Sequence, residues 1–196
     1  MRILVTQTVS RSTFSLCLCI CLLLLPCHAT SAATKAEIDT MQAHLPDEWP
    51  DAPEITSEAA ILVDIDTDTI LYAKNATSSM YPASTTKLMT AYLTLSNTSL
   101  DDIVTFSKNS IYSLPSGSSH IGMHIGESLS VRDCLYGLLL PSANEVATAL
   151  AEHVSGSVSS FVELMNSTAV SLGCVNTNFA NANGLQDPNH MTCAYD

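Results

Sequence analysis

The 196-residue chain contains 19 acidic and 7 basic residues, and its formal net charge at pH 7 is −12. All of the acidic residues lie after residue 33, so the surface of that part would repel nucleic acid, and no nucleic-acid partner is expected. The same part holds three of the seven cysteines, Cys134, Cys174 and Cys193, without a Cys-x-x-Cys pair. Neither a zinc site nor a disulfide framework is therefore indicated, although one disulfide is possible outside the cytoplasm.

Residues 1–33 have the pattern of an export signal. Arg2 and Arg11 precede the apolar run Phe14–Pro26, and the small residues of Ala29–Ala33 resemble a cleavage site. The apolar run is too short to span a bilayer comfortably. We therefore expect the signal to be removed and the protein to be exported to an extracytoplasmic location, the cell envelope or periplasm.

Residues 34–57 are acidic and punctuated by proline, which predicts a polar leader. The folded domain is expected over residues 58–196, and it begins with a predicted hairpin. Two β-rich runs, Ala59–Asp64 and Thr69–Ala73, are joined by the turn-forming cluster Asp66–Asp68. Alternating aspartates also occur in calcium loops, but the glycine and glutamate of an EF-hand are absent, which favours a plain turn.

The first chemical candidate is the pair Ser84 and Lys87. The apolar residues that follow have helical periodicity, so a helix is predicted to begin near Ser84. Residues three apart share a helix face, which places the Lys87 amine beside the Ser84 hydroxyl. A buried lysine can lose its proton and activate a serine nucleophile, and backbone N–H groups at a helix N-terminus suit an oxyanion. A helix cap followed by a solvated lysine is the alternative, because Ser-x-x-Lys is a short motif.

A short extended run, Ile103–Phe106, is predicted next, followed by a loop rich in serine and glycine over residues 113–126. His120 and His124 lie four residues apart in this loop, without a third ligand close in the sequence. Because a protein metal site needs at least three ligands, we interpret them as loop histidines and expect no metal.

The second chemical candidate is a polar turn that contains Ser142 and Asn144. A capping box at Ser130–Asp133 leads into the apolar run Leu135–Leu140, which we expect to form a buried helix. Another helix is predicted over about residues 145–153. Because buried polar groups need partners, a hydroxyl and an amide between two buried helices indicate a cavity with a chemical role. A simple N-cap role for Asn144 is equally compatible with the local sequence.

A third helix, predicted over Val158–Leu172, is followed by an asparagine-rich turn segment. The order of Ser84-x-x-Lys87, Ser142-x-Asn144 and Gly184-Leu185 with His190 resembles the serine-type D-alanyl-D-alanine carboxypeptidases. These are the low-molecular-mass penicillin-binding proteins of bacterial cell-wall metabolism. The resemblance extends from about residue 53 to residue 196, and the residues flanking the motifs match as well.

The resemblance implies an α+β fold of the β-lactamase/transpeptidase type, with a helical cluster and the N-terminal hairpin of an incomplete antiparallel sheet. Ser84 would attack the bond between two D-alanines of a peptidoglycan stem peptide, and Lys87 would accept its proton. Ser142 and Asn144 would relay a proton to the leaving amine and orient the substrate. β-Lactam antibiotics would acylate Ser84, and no metal or organic cofactor is implied.

One motif of the family is missing. Its members carry Lys-Thr-Gly or Lys-Ser-Gly on a later strand, whereas no lysine follows Lys108 in this chain. We therefore expect a C-terminally truncated domain with an unfinished sheet edge, an uncovered apolar helix face and impaired activity. Membrane association, which family members usually achieve through a C-terminal helix, is left open.

Three alternatives remain at this stage. A class A β-lactamase shares the first two motifs but uses an additional glutamate for deacylation, and Glu152 and Glu163 both lie in predicted helices. An endopeptidase that cuts peptidoglycan cross-links would have nearly the same chemistry. A non-catalytic peptidoglycan-binding module would use Ser84 only as a helix cap.

Overall fold

This computed structural model describes residues 50–196. The predicted export signal and most of the predicted leader lie outside the described residues. Within residues 50–196, no helix is both long and apolar enough to cross a membrane.

The predicted hairpin is present. Strand β1, Ala60–Asp64, pairs antiparallel with β2, Thr69–Lys74, and a bulge interrupts the register after Leu62. One carboxylate oxygen of Asp64 accepts hydrogen bonds from the backbone N–H groups of Asp66 and Thr67, at 3.0 and 3.1 Å. These bonds lower the pKa of Asp64 and close a tight turn. The turn interpretation is thus confirmed.

Five helices and a second small sheet follow the hairpin, and a single 3₁₀ turn, Ala83–Thr85, leads into the first helix. The helices are α1 (Thr86–Asn97), α2 (Lys108–Tyr112), α3 (Val131–Leu139), α4 (Asn144–Ser155) and α5 (Val158–Ser171). Strands β3 (Ile103–Thr105) and β4 (Ser128–Ser130) pair antiparallel. The helix predicted near Ser84 is confirmed, whereas α2 and β4 were not predicted.

Helix α4 lies at the centre of the core. Every residue from Asn144 to Ala151 is buried, and the other four helices and β3 pack around this helix. Its alanines let the neighbouring helices approach closely. Gly156 ends the helix in the left-handed conformation, where a glycine costs least.

The prediction that the apolar run Leu135–Leu140 is buried as a whole is wrong. Helix α3 buries Val131, Cys134 and Leu138, which recur every three to four residues and form one face. Leu140, just beyond the helix, is 79% exposed, and Tyr136 is also exposed. Because this nine-residue helix lies at the edge of the core, only one of its faces is covered by other residues. A continuous apolar run therefore does not imply complete burial.

Helix α1 buries several polar residues, together with Ala91 and Leu93, and leaves other apolar residues at the surface. Its buried polar residues are Thr86, Lys87, Thr90 and Thr94. Leu88 is 65% exposed, and Tyr92 and Leu95, which lie four and seven residues further on, are exposed on the same face. These three residues form an exposed apolar stripe along α1. The buried polar side of α1 carries the candidate site.

Candidate active site

Ser84 and Lys87 are neighbours, as predicted. Ser84 lies in the exposed 3₁₀ turn, and Lys87 lies one residue inside α1 with only 2% of its surface exposed. The Lys87 Nζ atom is 3.3 Å from Ser84 Oγ, 2.8 Å from Asn144 Oδ1 and 2.5 Å from the carbonyl oxygen of Asn183. The lysine is therefore a buried junction between three parts of the chain.

These three contacts suit a lysine that acts as a base. Burial lowers the pKa of Lys87 to about 8, so about a tenth of the amine is neutral at pH 7 and about half at pH 8. A neutral amine has two protons and one lone pair. The oxygens of Asn144 and Asn183 can only accept, so they accept hydrogen bonds from the two N–H groups of the amine. The lone pair then remains free to accept the hydroxyl proton of Ser84. The geometry thus orients the amine towards proton abstraction.

Asn144 does not cap a helix. It is the first residue of α4, the N-cap position is Ala143, and no side chain accepts a bond there. The side chain instead accepts from Lys87, while its backbone N–H donates to the carbonyl of Ser119 at 2.8 Å. The N-cap alternative is therefore wrong. Asn144 joins the candidate base to the serine- and glycine-rich loop.

Ser142 lies between α3 and α4, as predicted, but its side chain forms no hydrogen bond with Ser84 or Lys87. Its backbone has a φ of +61°, which is costly for a residue with a side chain. Its hydroxyl oxygen is buried and has no hydrogen-bond partner among the described residues. Buried polar atoms are rarely left unpaired, so this hydroxyl is available to a bound group. Its relay role stays a prediction.

Sequence reasoning missed the role of Asn183. Its carbonyl binds Lys87 because two asparagine side chains fix the local turn: Asn181 Oδ1 accepts from the backbone N–H of Gly184 at 2.7 Å, and Asn183 Oδ1 accepts from that of Leu185 at 3.0 Å. The asparagine-glycine run predicted a turn. Nothing local indicated that the turn faces Lys87.

Gly184 contacts the turn that carries Ser84. Its φ is +84°, and a Cβ atom there would lie 1.9 Å from the carbonyl oxygen of Ala83. Ala83 itself has a φ of +47°. Gly184 and Ala83, both in the left-handed conformation, thus contact each other directly before Ser84. Only glycine at position 184 allows this close approach.

His190 fastens the same segment to α1. It is buried, and its Nδ1 accepts from the backbone N–H of Ala180 at 2.9 Å. Its Nε2 therefore carries the proton and donates it to Thr86 Oγ1, 2.7 Å away. Burial lowers the pKa of His190, although Asp187 opposes the shift. Because neutral His190 bonds to Thr86, the residue before Lys87, it adds no positive charge beside the candidate base.

Glu145 holds the serine- and glycine-rich loop in place. Its Oε1 accepts from the backbone N–H of Ile121 at 2.6 Å, and Oε2 has no partner within residues 50–196. The loop and Glu145 line a cleft of about 380 Å³, which His120 and His124 also border. In the described part of the chain, no three His, Cys, Asp or Glu side chains gather as a metal site.

Glu152 is engaged away from Ser84. Its two carboxylate oxygens accept from Ser107 Oγ at 2.7 Å and Asn109 Nδ2 at 2.8 Å, and so hold the start of α2. Glu152, one of the two glutamates considered for β-lactamase deacylation, therefore has a structural role.

The chain is similar in sequence to known proteins. A family model described as D-alanyl-D-alanine carboxypeptidase (Peptidase_S11) matches residues 47–196. The D-alanyl-D-alanine carboxypeptidase DacA of Haemophilus influenzae is 37% identical over 152 residues, 74% of this chain and 38% of that protein. DacF of Bacillus subtilis is 37% identical over 142 residues, 71% of this chain and 36% of that protein.

Solved structures show the same similarity. Penicillin binding protein 5 from Haemophilus influenzae has a TM-score of 0.69 at 36% identity, over 74% of this chain and 44% of that one. A Streptomyces DD-transpeptidase has a TM-score of 0.69 at 33% identity, over 74% of this chain and 58% of that one. The predicted α+β, transpeptidase-like fold is thus confirmed. The chain spans less than two fifths of the length of the two curated relatives above.

Proposed function

Because the chain belongs to the peptidase S11 family of D-alanyl-D-alanine carboxypeptidases, we propose that it carries the nucleophile and base of a serine-type D-Ala-D-Ala carboxypeptidase. The observation that supports this most directly is the environment of Lys87. A buried amine with a pKa of about 8 and two obligate acceptors directs its lone pair to Ser84.

The reaction proceeds in two steps. Ser84 Oγ attacks the carbonyl carbon between the two D-alanines while Lys87 Nζ accepts its proton. The C–N bond breaks, the terminal D-alanine leaves as an amine after it gains a proton through Ser142, and an acyl-enzyme ester remains on Ser84. Water then hydrolyses the ester, again with Lys87 as the base. Asn144 orients the amine of Lys87 and the substrate amide.

The substrate class is the peptidoglycan stem peptide that ends in D-Ala-D-Ala, which makes the extracytoplasmic envelope the place of action. The predicted export signal supports this location. β-Lactam antibiotics present a strained amide to the same nucleophile and acylate Ser84. Their adduct therefore serves as the simplest test, because it needs only the first step.

The experiment is intact-protein mass spectrometry after incubation of the purified protein with benzylpenicillin. We expect the mass to increase by one benzylpenicillin, and Ser84→Ala to abolish the increase. Ser78→Ala is the matched control, because Ser78 lies on an exposed turn in the same part of the chain and its side chain forms no hydrogen bond among the described residues. An adduct that persists in Ser84→Ala, or none in the unchanged protein, would contradict the proposal.

A further inference from the structure

Two of the three cysteines within residues 50–196, Cys174 and Cys193, contact the same residue. The Cys174 thiol donates to the backbone carbonyl of Asp196 at 3.4 Å, and the backbone N–H of Asp196 donates to Cys193 Sγ, also at 3.4 Å. Both sulfur atoms therefore lie against the same residue. Cys193 is buried and Cys174 is partly buried, and both are free thiols in this structure.

The backbone around them forms a short antiparallel pair. Asn178 and Met191 exchange both backbone hydrogen bonds, at 2.8 and 3.0 Å, and the hydroxyls of Thr177 and Thr192 bond at 2.8 Å. Next to this pairing, the Asn176 side-chain amide donates to Cys193 Sγ at 3.8 Å. The segment that leads back to Cys174 therefore lies beside Cys193.

We propose that Cys174 and Cys193 form a disulfide when the protein meets a disulfide oxidant. One thiolate attacks the external disulfide and releases one thiol. The other cysteine then displaces the second thiol from the mixed disulfide, so that two protein thiols become one disulfide and the oxidant becomes two thiols. Burial and the carboxylate of Asp196 raise the pKa of Cys174, so the exchange should be faster in mildly alkaline solution than at neutral pH.

Cys134 is not part of this site. It lies on the buried face of α3, has no exposed surface, and has its pKa raised to about 12, mainly by burial. A thiol in that state is inert towards exchange. The three cysteines within residues 50–196 thus comprise one candidate pair and one buried core residue.

The bond would constrain the segment that completes the candidate site. It closes a loop of about 20 residues, which contains Asn183 and Gly184 and therefore the contacts to Lys87 and Ala83. A cross-link of this length restricts the unfolded chain, and we expect it to raise the midpoint of thermal unfolding by roughly 5–10 °C. The inference does not depend on the proposed activity.

The test begins with the purified protein and oxidised glutathione, followed by digestion without reduction by proteases that cut before aspartate and after glutamate. Fragment 164–186 should be joined to fragment 187–195, and reduction should separate them. Cys134→Ser should keep this link, whereas Cys174→Ser and Cys193→Ser should lose it while retaining the circular dichroism spectrum of the folded protein. Only the proteins that can form the link should show the rise in melting temperature on oxidation.

Two results would overturn the proposal. One is an oxidised protein in which the fragments carrying Cys174 and Cys193 remain separate after prolonged exposure to the oxidant. The other is a link that involves Cys134, which would place the reactive pair elsewhere. A link that forms without any rise in melting temperature would refute the proposed constraint on the segment.

Discussion

Replacing Gly184 with alanine adds one carbon atom where the asparagine-rich turn touches the turn that carries Ser84. The new Cβ would lie 1.9 Å from the carbonyl oxygen of Ala83, whereas ordinary contact begins near 3.4 Å, so the two backbones must separate by about 1.5 Å. A displacement of roughly 1 Å at reacting groups costs on the order of 10²-fold in rate. We therefore expect acylation of Ser84 by penicillin to slow about 100-fold or more in Gly184→Ala.

The substitution also lowers stability. Alanine in the left-handed conformation costs about 1 kcal/mol relative to glycine, and the forced contact adds about 1–3 kcal/mol. Gly156→Ala is the matched control, because Gly156 has a φ of +75° and nothing within 4 Å of an added Cβ. That variant should lose only about 1 kcal/mol of unfolding free energy and acylate at the unchanged rate.

The assay is the second-order rate constant for acylation by a fluorescent penicillin, measured beside urea unfolding for both variants. If Gly184→Ala were acylated as fast as Gly156→Ala, the contact with Ala83 would not position the nucleophile. If the unchanged protein formed no adduct, the proposed function would fail, and the role of Gly184 would be untouched by that result. The urea data distinguish a displaced nucleophile from a protein that has lost its fold.

Three further predictions concern protonation. The acylation rate should rise with pH through about pH 8, where the Lys87 amine becomes neutral, and a flat profile between pH 6 and 9 would exclude Lys87 as the base. Asn144→Asp places a carboxylate where Oδ1 lies 2.8 Å from Nζ and so raises the pKa of Lys87; the profile should move to higher pH, whereas an unmoved profile would contradict the contact. The lowered pKa of His190 means that the unfolded chain binds more protons, so the unfolding free energy should fall as pH drops below 6.5. In urea titrations, His190→Gln should reduce the pH dependence of the unfolding free energy, whereas the control His120→Gln should leave it unchanged. A pH dependence that is the same in His190→Gln as in the unchanged protein would refute this role of His190.

The parts of the site that are close in sequence could be predicted, because helix geometry alone brings residues three apart together. Ser84 and Lys87 are such a pair, and the polar turn at Ser142 and Asn144 stood out against its apolar neighbours. The role of Asn144 was left open, since capping and long-range contact use the same side chain. Its bond to Lys87 joins residues 57 positions apart, which no local pattern indicates.

Periodicity identified helices but not which face is covered. In α1 the spacing of apolar residues predicted a helix correctly, yet Leu88 and Tyr92 are exposed, and the polar face is buried. Strand β4 was not predicted because it has only three residues, two of them serines. It is a strand because it pairs with Ile103–Thr105, which no local pattern indicates. Local propensity is weak wherever such tertiary contacts decide the structure.

The buried polar face of α1 explains why the site depends on a distant segment. Thr86 bonds to His190, Lys87 to the carbonyl of Asn183, and Thr90 to the carbonyl of Ala182, over separations of 104, 96 and 92 residues. Each of these groups would cost about 1–3 kcal/mol if it were buried without a partner.

Helix α1 therefore cannot keep this face buried unless the segment over residues 179–193 is in place, and the segment in turn has α1 as its support. The base contact of Lys87 forms only when both are assembled. In the sequence, this interdependence is visible as polar residues at spacings of one, three and four within an otherwise apolar helix, followed much later by a run rich in asparagine. Such a pattern indicates a buried polar seam, although it does not identify the partners.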